Sequence, residues 1–555
     1  MTLRPLINED YDIVWKAIPG TSQEFAVDTR AHHTLYHGTR GPGKTITQLM
    51  RFRRRVGIGY GSYWRGIIFD REYKNFSDII AQSKRFFNAF GDGAKFHESP
   101  SDLKWTWPTG EELLFRHVKK IGDYENFHGH EYPFIGWNEL TKQPTGELYD
   151  KMMSTNRSSF DPVNDTPMIR TENGRPKIGG DGFPLYDTYD NKPLPNIPLE
   201  VFSATNPSGA GHNWVKRRFI NPARNGEIVR TEIKVFSPKL QCETTVIKTQ
   251  VAIFGSYKEN IYLSDEYIAE LDMLTANNPN LRAAWLEGDW DVTAGGALDD
   301  LWNKNIHVKP RFKVPAGWYL DRSFDWGSSH PFSVGWWAMS NGEAAVLPDG
   351  SIFCPVANSL VRIADWYGTT EIGTNKGLKL TAFEIAEGIK HREMELMGCE
   401  DEISTEKNAY KYKNLTGQPG TLRKAWISAQ PAPGPADNQI ANKGQADEDS
   451  IEQKMESLGV LWEKSNKSSG SRKNGLQLLR EMLAAATDPE SDQPGIYFMQ
   501  NCEASIETLP CLPRDELDLD DVDSNSEDHV YDEVRYRVLK GSERAATSIE
   551  VSYPT

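Results

Sequence analysis

Apolar residues in this chain fall into short runs and spaced stripes that alternate between strand and helix. Leu35-Tyr36 reads as a short strand, and residues 46–56 follow with helical character. Gly66-Ile67-Ile68-Phe69-Asp70 is an apolar run of strand length that ends in a carboxylate. Phe76, Ile79, Ile80, Phe86, Phe87 and Phe90 then recur at helical spacing. Leu113-Leu114-Phe115 and the stretches 132–139 and 197–207 add further strands. Strands alternating with helices predict an α/β domain around a buried parallel sheet. Residues 158–192, rich in Gly, Pro, Asp and Asn, read as a surface insertion within it.

The second half has a different rhythm. Residues 317–327 alternate as a strand, with Asp321, Ser323 and Asp325 on one face. Residues 332–339 and 344–347 read as its hairpin partners. Asp349-Gly350 is a hairpin turn before residues 351–353. A helix is predicted over 381–397, a central strand over 425–429 and a helix start over 528–536. The Gly295-Gly296 region marks the crossing. The boundaries predicted are therefore 1–294, a linker 295–315, and 316–555.

Composition narrows the class. A chain of 555 residues exceeds one core. No apolar run is long enough to span a bilayer, and the first ten residues lack the apolar stretch of a signal peptide. The five cysteines are scattered and never form C-x-x-C, which suits a reducing compartment and no zinc site. The net charge of −15 argues weakly against a nucleic-acid partner, although local patches decide such binding. Arg51, Arg53, Arg54 and Arg55 form one basic cluster, and Lys216, Arg217 and Arg218 another. Each reads as a solvated helix face.

The strongest chemical signal is His37-Gly38-Thr39-Arg40-Gly41-Pro42-Gly43-Lys44-Thr45. Gly38, Gly43, Lys44 and Thr45 fill every fixed position of G-x-x-x-x-G-K-[ST]. Glycines let the backbone turn its N–H groups toward phosphate oxygens. Lys44 is expected to reach the β and γ phosphates of ATP, and Thr45 to hold Mg²⁺. Strand 132–139 ends in Asn138-Glu139. Such a strand supplies a group that orients metal-bound water, usually Asp, and a Glu that polarises the attacking water. Asn138 is uncharged and departs from that pattern. Ser203, Thr205 and Asn206 are candidates for a γ-phosphate sensor.

The order of these motifs resembles the large terminase subunit of tailed bacteriophages. The residues that carry the resemblance are Gly38 to Thr45, Phe134-Ile135-Gly136-Trp137-Asn138-Glu139-Leu140, Ser203-Ala204-Thr205-Asn206-Pro207 and Gly211 to Phe219. The resemblance spans roughly residues 30–540. It implies an N-terminal P-loop ATPase of the additional-strand, catalytic-glutamate, RecA-like type and a C-terminal RNase H-like nuclease. Arg40 resembles the arginine that such motors place near the phosphates. Where many relatives carry an Arg before a Gly, this chain has His128 before Gly129, and Arg157 is the candidate to reach a neighbouring subunit.

The nuclease fold uses two divalent metals, Mg²⁺ or Mn²⁺, held by carboxylates from separated strands and a late helix. Asp325, Asp437, Asp528 and Asp532 are the candidates. Asp528 and Asp532, four apart, share a helix face. The Asp-His-x-x-Asp-x-x-Arg-Tyr run from Asp528 to Tyr536 is the most specific part. Asp321 reads as structural, and His529 as a group behind the metal ligands. By resemblance, the partners are double-stranded DNA, the small terminase subunit and the portal of the procapsid. The assembly is a pentameric ring and the place of action the cytoplasm of an infected bacterium. Two rival readings are a P-loop helicase or translocase whose C-terminal half binds nucleic acid without cutting it, and a structural or regulatory ATP-binding protein.

Overall fold

The computed structural model describes residues 13–100, 102–180, 182–276, 278–291, 296–398, 425–443, 449–515, 518, 520–524 and 526–547. It divides into two compact units, Met1–Ala294 and Gly295–Thr555.

The first unit is built on nine strands: β1 (His33–Gly38), β2 (Arg65–Asp70), β3 (Lys95–His97), β4 (Lys104–Thr106), β5 (Glu112–His117), β6 (Phe134–Trp137), β7 (Glu200–Ala204), β8 (Val229–Ser237) and β9 (Cys242–Gly255). Their order is β3-β4-β5-β2-β6-β7-β1-β9-β8. From β5 to β9 all neighbours run parallel, and antiparallel strands are added at the two edges. Successive residues of β2 serve opposite faces. Ile68 packs with Leu49, Phe52 and Phe76, and Ile67 with Leu35, Ile135 and Trp137. Both faces are covered, which is why the strands read as unbroken apolar runs. β7 lies between β1 and β6, so one added strand separates the phosphate-loop strand from the one ending in Asn138-Glu139.

Helix Lys44–Arg53 is tied to this sheet by polar groups. Gln48 donates to the carbonyls of Trp137 and Phe202, bridging β6 and β7. The basic cluster is not a solvated face. Arg51 and Arg55 both pair with Glu200, Arg53 pairs with Asp92, and Arg51 is almost fully buried. The helix lies on the sheet, so these side chains are spent on internal carboxylates. Lys216 and Arg218 pair instead with the exposed carboxylates of Asp291 and Asp150, so the second cluster stays at the surface.

The second unit contains β10 (Val308–Lys309), β11 (Tyr319–Asp325), β12 (Ser333–Met339), β13 (Ala345–Val346), β14 (Ile352–Phe353), β15 (Leu360–Tyr367), β16 (Pro435–Ala436), β17 (Glu463–Lys464) and β18 (Ile496–Met499). The main sheet runs β10-β18-β15-β12-β11-β16-β17. β11, β12 and β15 form an antiparallel meander, and β16 and β17 add in parallel beside β11. This is the strand order of an RNase H-like sheet. Helix Ala382–Leu396 covers one face, and helices Ser471–Thr487 and His529–Thr547 the other.

Three expectations are corrected. Of the expected linker 295–315, residues 296–315 pack into the second unit: Ala297 and Leu298 are fully buried among Leu476, Leu479 and Leu509, and β10 pairs with β18. β13 does not join the sheet of β11; it pairs with β14 in a separate hairpin, turned at the expected Asp349-Gly350, where Gly350 has φ of 83°. Residues 425–429 form no strand. The strand at that place is the two-residue β16, since Pro431, Pro433 and Pro435 limit ladder pairing.

Candidate functional site

In the first unit, the phosphate loop joins β1 to helix Lys44–Arg53. Gly43 caps that helix in a left-handed conformation with φ of 83°, which suits glycine. A Cβ on Gly38 would collide with the Gly255 carbonyl of the neighbouring strand. Thr39 accepts from the Tyr257 N–H (2.6 Å) and Gly41 from Asn260 Nδ2 (2.6 Å), so the curl is held from outside. Lys44 Nζ lies inside it and donates to the Thr39 carbonyl (2.6 Å) and to Asn206 Oδ1 (2.6 Å). Burial lowers its ammonium to about 8. Thr45 is the second residue of the helix and is half-buried.

Asn206 thus emerges from the sensor candidates as the one in contact with Lys44. Thr205 instead bonds Thr141 in the turn after Glu139 (2.7 Å). Arg40 is exposed and stacks on Trp285, 3.5 Å from the ring centroid. Trp290 donates to His37 Nδ1 (3.0 Å), so the segment after residue 284 is docked on the loop strand. Trp285 and Trp290 carry no local sequence signal for this role.

Glu139 follows β6 with φ of 51°, a left-handed position uncommon for a non-glycine residue. The side chain is half-exposed. Asn138 donates its amide to Asp70 at the end of β2 (2.7 Å). Asp70 lies opposite on the neighbouring strand and was not singled out in the sequence. Arg157 donates to the Gly129 carbonyl and faces Glu131, which ties it to the segment leading into β6. His128 packs its ring on Tyr124.

In the second unit, Asp325 ends β11 and Asp437 follows β16, the parallel strand beside it; the Asp437 N–H donates to the Phe324 carbonyl (2.9 Å). The late helix lies on the same face. His529 Nδ1 is 3.5 Å from Asp325, and the Tyr536 hydroxyl donates to Asp325 (3.2 Å). Burial raises the Asp325 carboxyl to about 7, with the charges of Asp532 and Asp437 adding to the shift. Burial and Asp532 likewise raise Asp528 to about 6. For His529, burial is the largest influence and acts downward, but the bond to Asp325 and the negative charges of Asp325, Asp528 and Glu527 together carry the net shift upward.

Arg472 binds three of the neighbouring carboxylates: Asp521 (2.8 Å), Asp528 (2.8 Å) and Asp532 (3.3 Å). Arg535 also pairs with Asp532 (3.1 Å), and Lys467 pairs with Asp437. Hard carboxylate oxygens suit Mg²⁺ or Mn²⁺. Yet among the described residues no group of three or more His, Cys, Asp or Glu side chains is close enough to hold one ion. The acids converge on one face of the unit, and side-chain cations occupy the space between them. Lys467 and Arg472 lie in a polar segment after β17 with no motif to mark them. Asp321 bonds Arg537 (2.7 Å) and is fully buried, away from this cluster's open side.

No family model and no curated protein sequence matches the chain. Among solved structures, it is similar to the large terminase of a thermophilic bacteriophage at 14% identity and a TM-score of 0.33, over 94% of this chain and 98% of that one. The P22 large terminase nuclease domain matches at 14% identity and 0.27, over 45% of this chain and 93% of that one. The Thermus phage P74-26 large terminase ATPase domain matches at 13% identity and 0.30, over 52% of this chain and 100% of that one.

Proposed function

We propose that this chain is the motor and cutting enzyme of viral DNA packaging. Residues 1–294 hydrolyse ATP to move double-stranded DNA into a procapsid, and residues 316–555 cut the concatemer. The observation that carries the first half is the buried ammonium of Lys44, poised inside its loop between Thr39 and Asn206. The same donor turns to the β and γ phosphates when ATP enters, and the backbone N–H groups of residues 39–45 bind the remaining oxygens. Its release from Asn206 makes that side chain the sensor. Arg40 leaves Trp285 to meet the phosphates. Glu139 polarises the attacking water, and Thr45 with Asn138 would hold Mg²⁺ and its water shell. The ion, when bound, neutralises phosphate charge.

For the second half, support comes from Asp325 and Asp437 at the ends of adjacent parallel strands, near Asp532 of the late helix and Asp528 just before it. With Lys467 and Arg472 displaced, these four would hold Mg²⁺ or Mn²⁺, and the ions would supply activation of water and stabilisation of the departing oxygen in phosphodiester cleavage. Tyr536 and His529 orient Asp325. In this reading the partners are the small terminase subunit and the portal, the docked assembly is a pentameric ring, and the place of action is the cytoplasm of an infected bacterium. The test is DNA-stimulated ATP turnover and Mn²⁺-dependent plasmid cleavage by the full chain. Lys44→Ala is expected to remove the first and Asp325→Ala the second. Absence of both in the unaltered protein would refute the proposal.

One observation favours a second reading, a translocase with a non-cleaving C-terminal half. Arg472 and Lys467 hold the carboxylates that would ligate metal. DNA-stimulated turnover without cleavage at any Mn²⁺ concentration would select it.

A further inference from the structure

The uncharged Asn138 stands where a carboxylate is usual, and the structure points to what compensates for it. β2 and β6 are parallel neighbours, and Asp70 and Asn138 follow the paired residues Phe69 and Trp137. Asp70 is almost fully buried. It accepts from Asn138 Nδ2 (2.7 Å), Asn75 Nδ2 (2.7 Å) and the Glu72 N–H (3.1 Å). An ionised carboxylate only accepts, so the Asn138 amide must turn its NH₂ toward Asp70. Its Oδ1 then points away from β2. In the order β2-β6-β7-β1, β6 lies between β2 and the two strands that include the one leading into the phosphate loop.

The same end of β2 holds the turn that follows. The Phe69 carbonyl accepts from the Asn138 N–H (2.8 Å), and Arg71 donates to the Lys142 carbonyl (2.9 Å). Glu139 is thus carried on a left-handed turn pinned at one end to β2 and at the other to Arg71, the residue that follows it.

We propose that Asp70 is a positioning residue of the ATPase site. It orients the Asn138 amide so that Oδ1 accepts from a water on the nucleotide side, and it supplies from the neighbouring strand the negative charge that Asn138 lacks. This deepens the ATPase reading above and rests on it. It has a consequence opposite to simple restoration of the usual acid. Asn138→Asp would set two carboxylates in contact, where like charges repel. Asp70→Asn would give Asn138 an NH₂ neighbour and turn its amide round, withdrawing the acceptor.

The experiment uses the full chain with Asp70→Asn, Asn138→Asp and the double exchange Asp70→Asn/Asn138→Asp. Melting temperature without nucleotide, ATP turnover and binding of a fluorescent ATP analogue are measured for each. Asn138→Asp is expected to melt lower than the unaltered protein, and the double exchange to recover. Asp70→Asn is expected to keep analogue binding within about twofold and lose about ten- to a hundredfold in turnover, as loss of an orienting partner does. The double exchange is expected to regain most of that turnover. An Asn138→Asp protein as stable as the unaltered one, or a double exchange no better than the worse single variant, overturns the proposal. If the unaltered protein has no turnover, the ATPase reading fails, while the melting series still decides whether the two side chains are coupled.

Discussion

Asp321 and Arg537 meet at 2.7 Å in the interior of the second unit, and this contact sets the register of the late helix on β11. Moving along the strand, Ser323 bonds Glu533 and Asp325 faces His529. Steps of two on the strand thus match steps of four on the helix, running in opposite directions. The strand advances about 6.8 Å per pair and the helix about 6 Å per four residues, so the two ladders stay in step over this length. That register delivers Asp528 and Asp532 to the end of β11, where Asp325 stands.

The buried pair Arg362–Glu533 underlies the same register, with Trp337 and Ser333 also donating to Glu533. Removing one partner leaves an uncompensated charge in the core, at a cost of about 3–5 kcal/mol. Arg362→Met is expected to lower stability by that order in urea denaturation of the full chain. A change below about 1 kcal/mol, the range of an exposed pair, would show that the pair is not buried as described.

Lys44 has a stability signature of its own. Burial lowers it to about 8 from 10.5, so charging it inside the fold costs on the order of 3 kcal/mol. The unfolded chain then holds more protons across that interval, and stability rises with pH through it. Without nucleotide, Lys44→Met is expected to be more stable than the unaltered protein at pH 7, by a margin that shrinks as pH climbs from 8 toward 10.5. Urea titrations at several pH values read this directly, and a margin constant with pH would contradict it.

Asp325 is expected to trade stability for chemistry. Its carboxyl is raised by burial from 3.8 to about 7, so the folded state holds the extra proton and stability falls as pH rises across that window. In EDTA, Asp325→Asn should match the stability of the unaltered protein near pH 4 and exceed it at pH 8, and with Mn²⁺ supplied it should cleave no plasmid. Equal melting temperatures at both pH values would argue against the buried acid.

Arg472 holds Asp521, Asp528 and Asp532 together. Arg472→Gln takes the shared cation from between those carboxylates and leaves Asp532 with Arg535 alone. The variant is expected to melt lower than the unaltered protein in EDTA and to gain more from added Mn²⁺. An identical Mn²⁺ shift in both proteins would mean that Arg472 does not compete with the ion.

Local signals made much of the first unit legible. Gly38, Gly43, Lys44 and Thr45 form a contiguous motif, and the apolar runs of β1, β2, β5, β6 and β7 announce a sheet covered on both faces. The long β8–β9 pair was not visible in this way, because most of β8 is exposed and its residues show no core-facing pattern. The strand expected at 425–429 failed for a related reason. Its apolar residues serve packing outside a ladder, and Ile427 is buried in the core without pairing.

The linear order of residues by itself determined the phosphate loop, the strand ending in Asn138-Glu139, the alternation of Asp321, Ser323 and Asp325 and a late helix carrying Asp532, with Asp528 just before its first residue. All of these are periodicities or motifs contained within a few neighbouring residues. Only the tertiary structure decided that Asp70 turns Asn138, that Asn206 meets Lys44 162 residues away, and that Lys467 and Arg472 occupy the acidic cluster. Those partners are chosen by which strand lies beside which and by which buried charge must find an opposite one, and neither is written in local spacing.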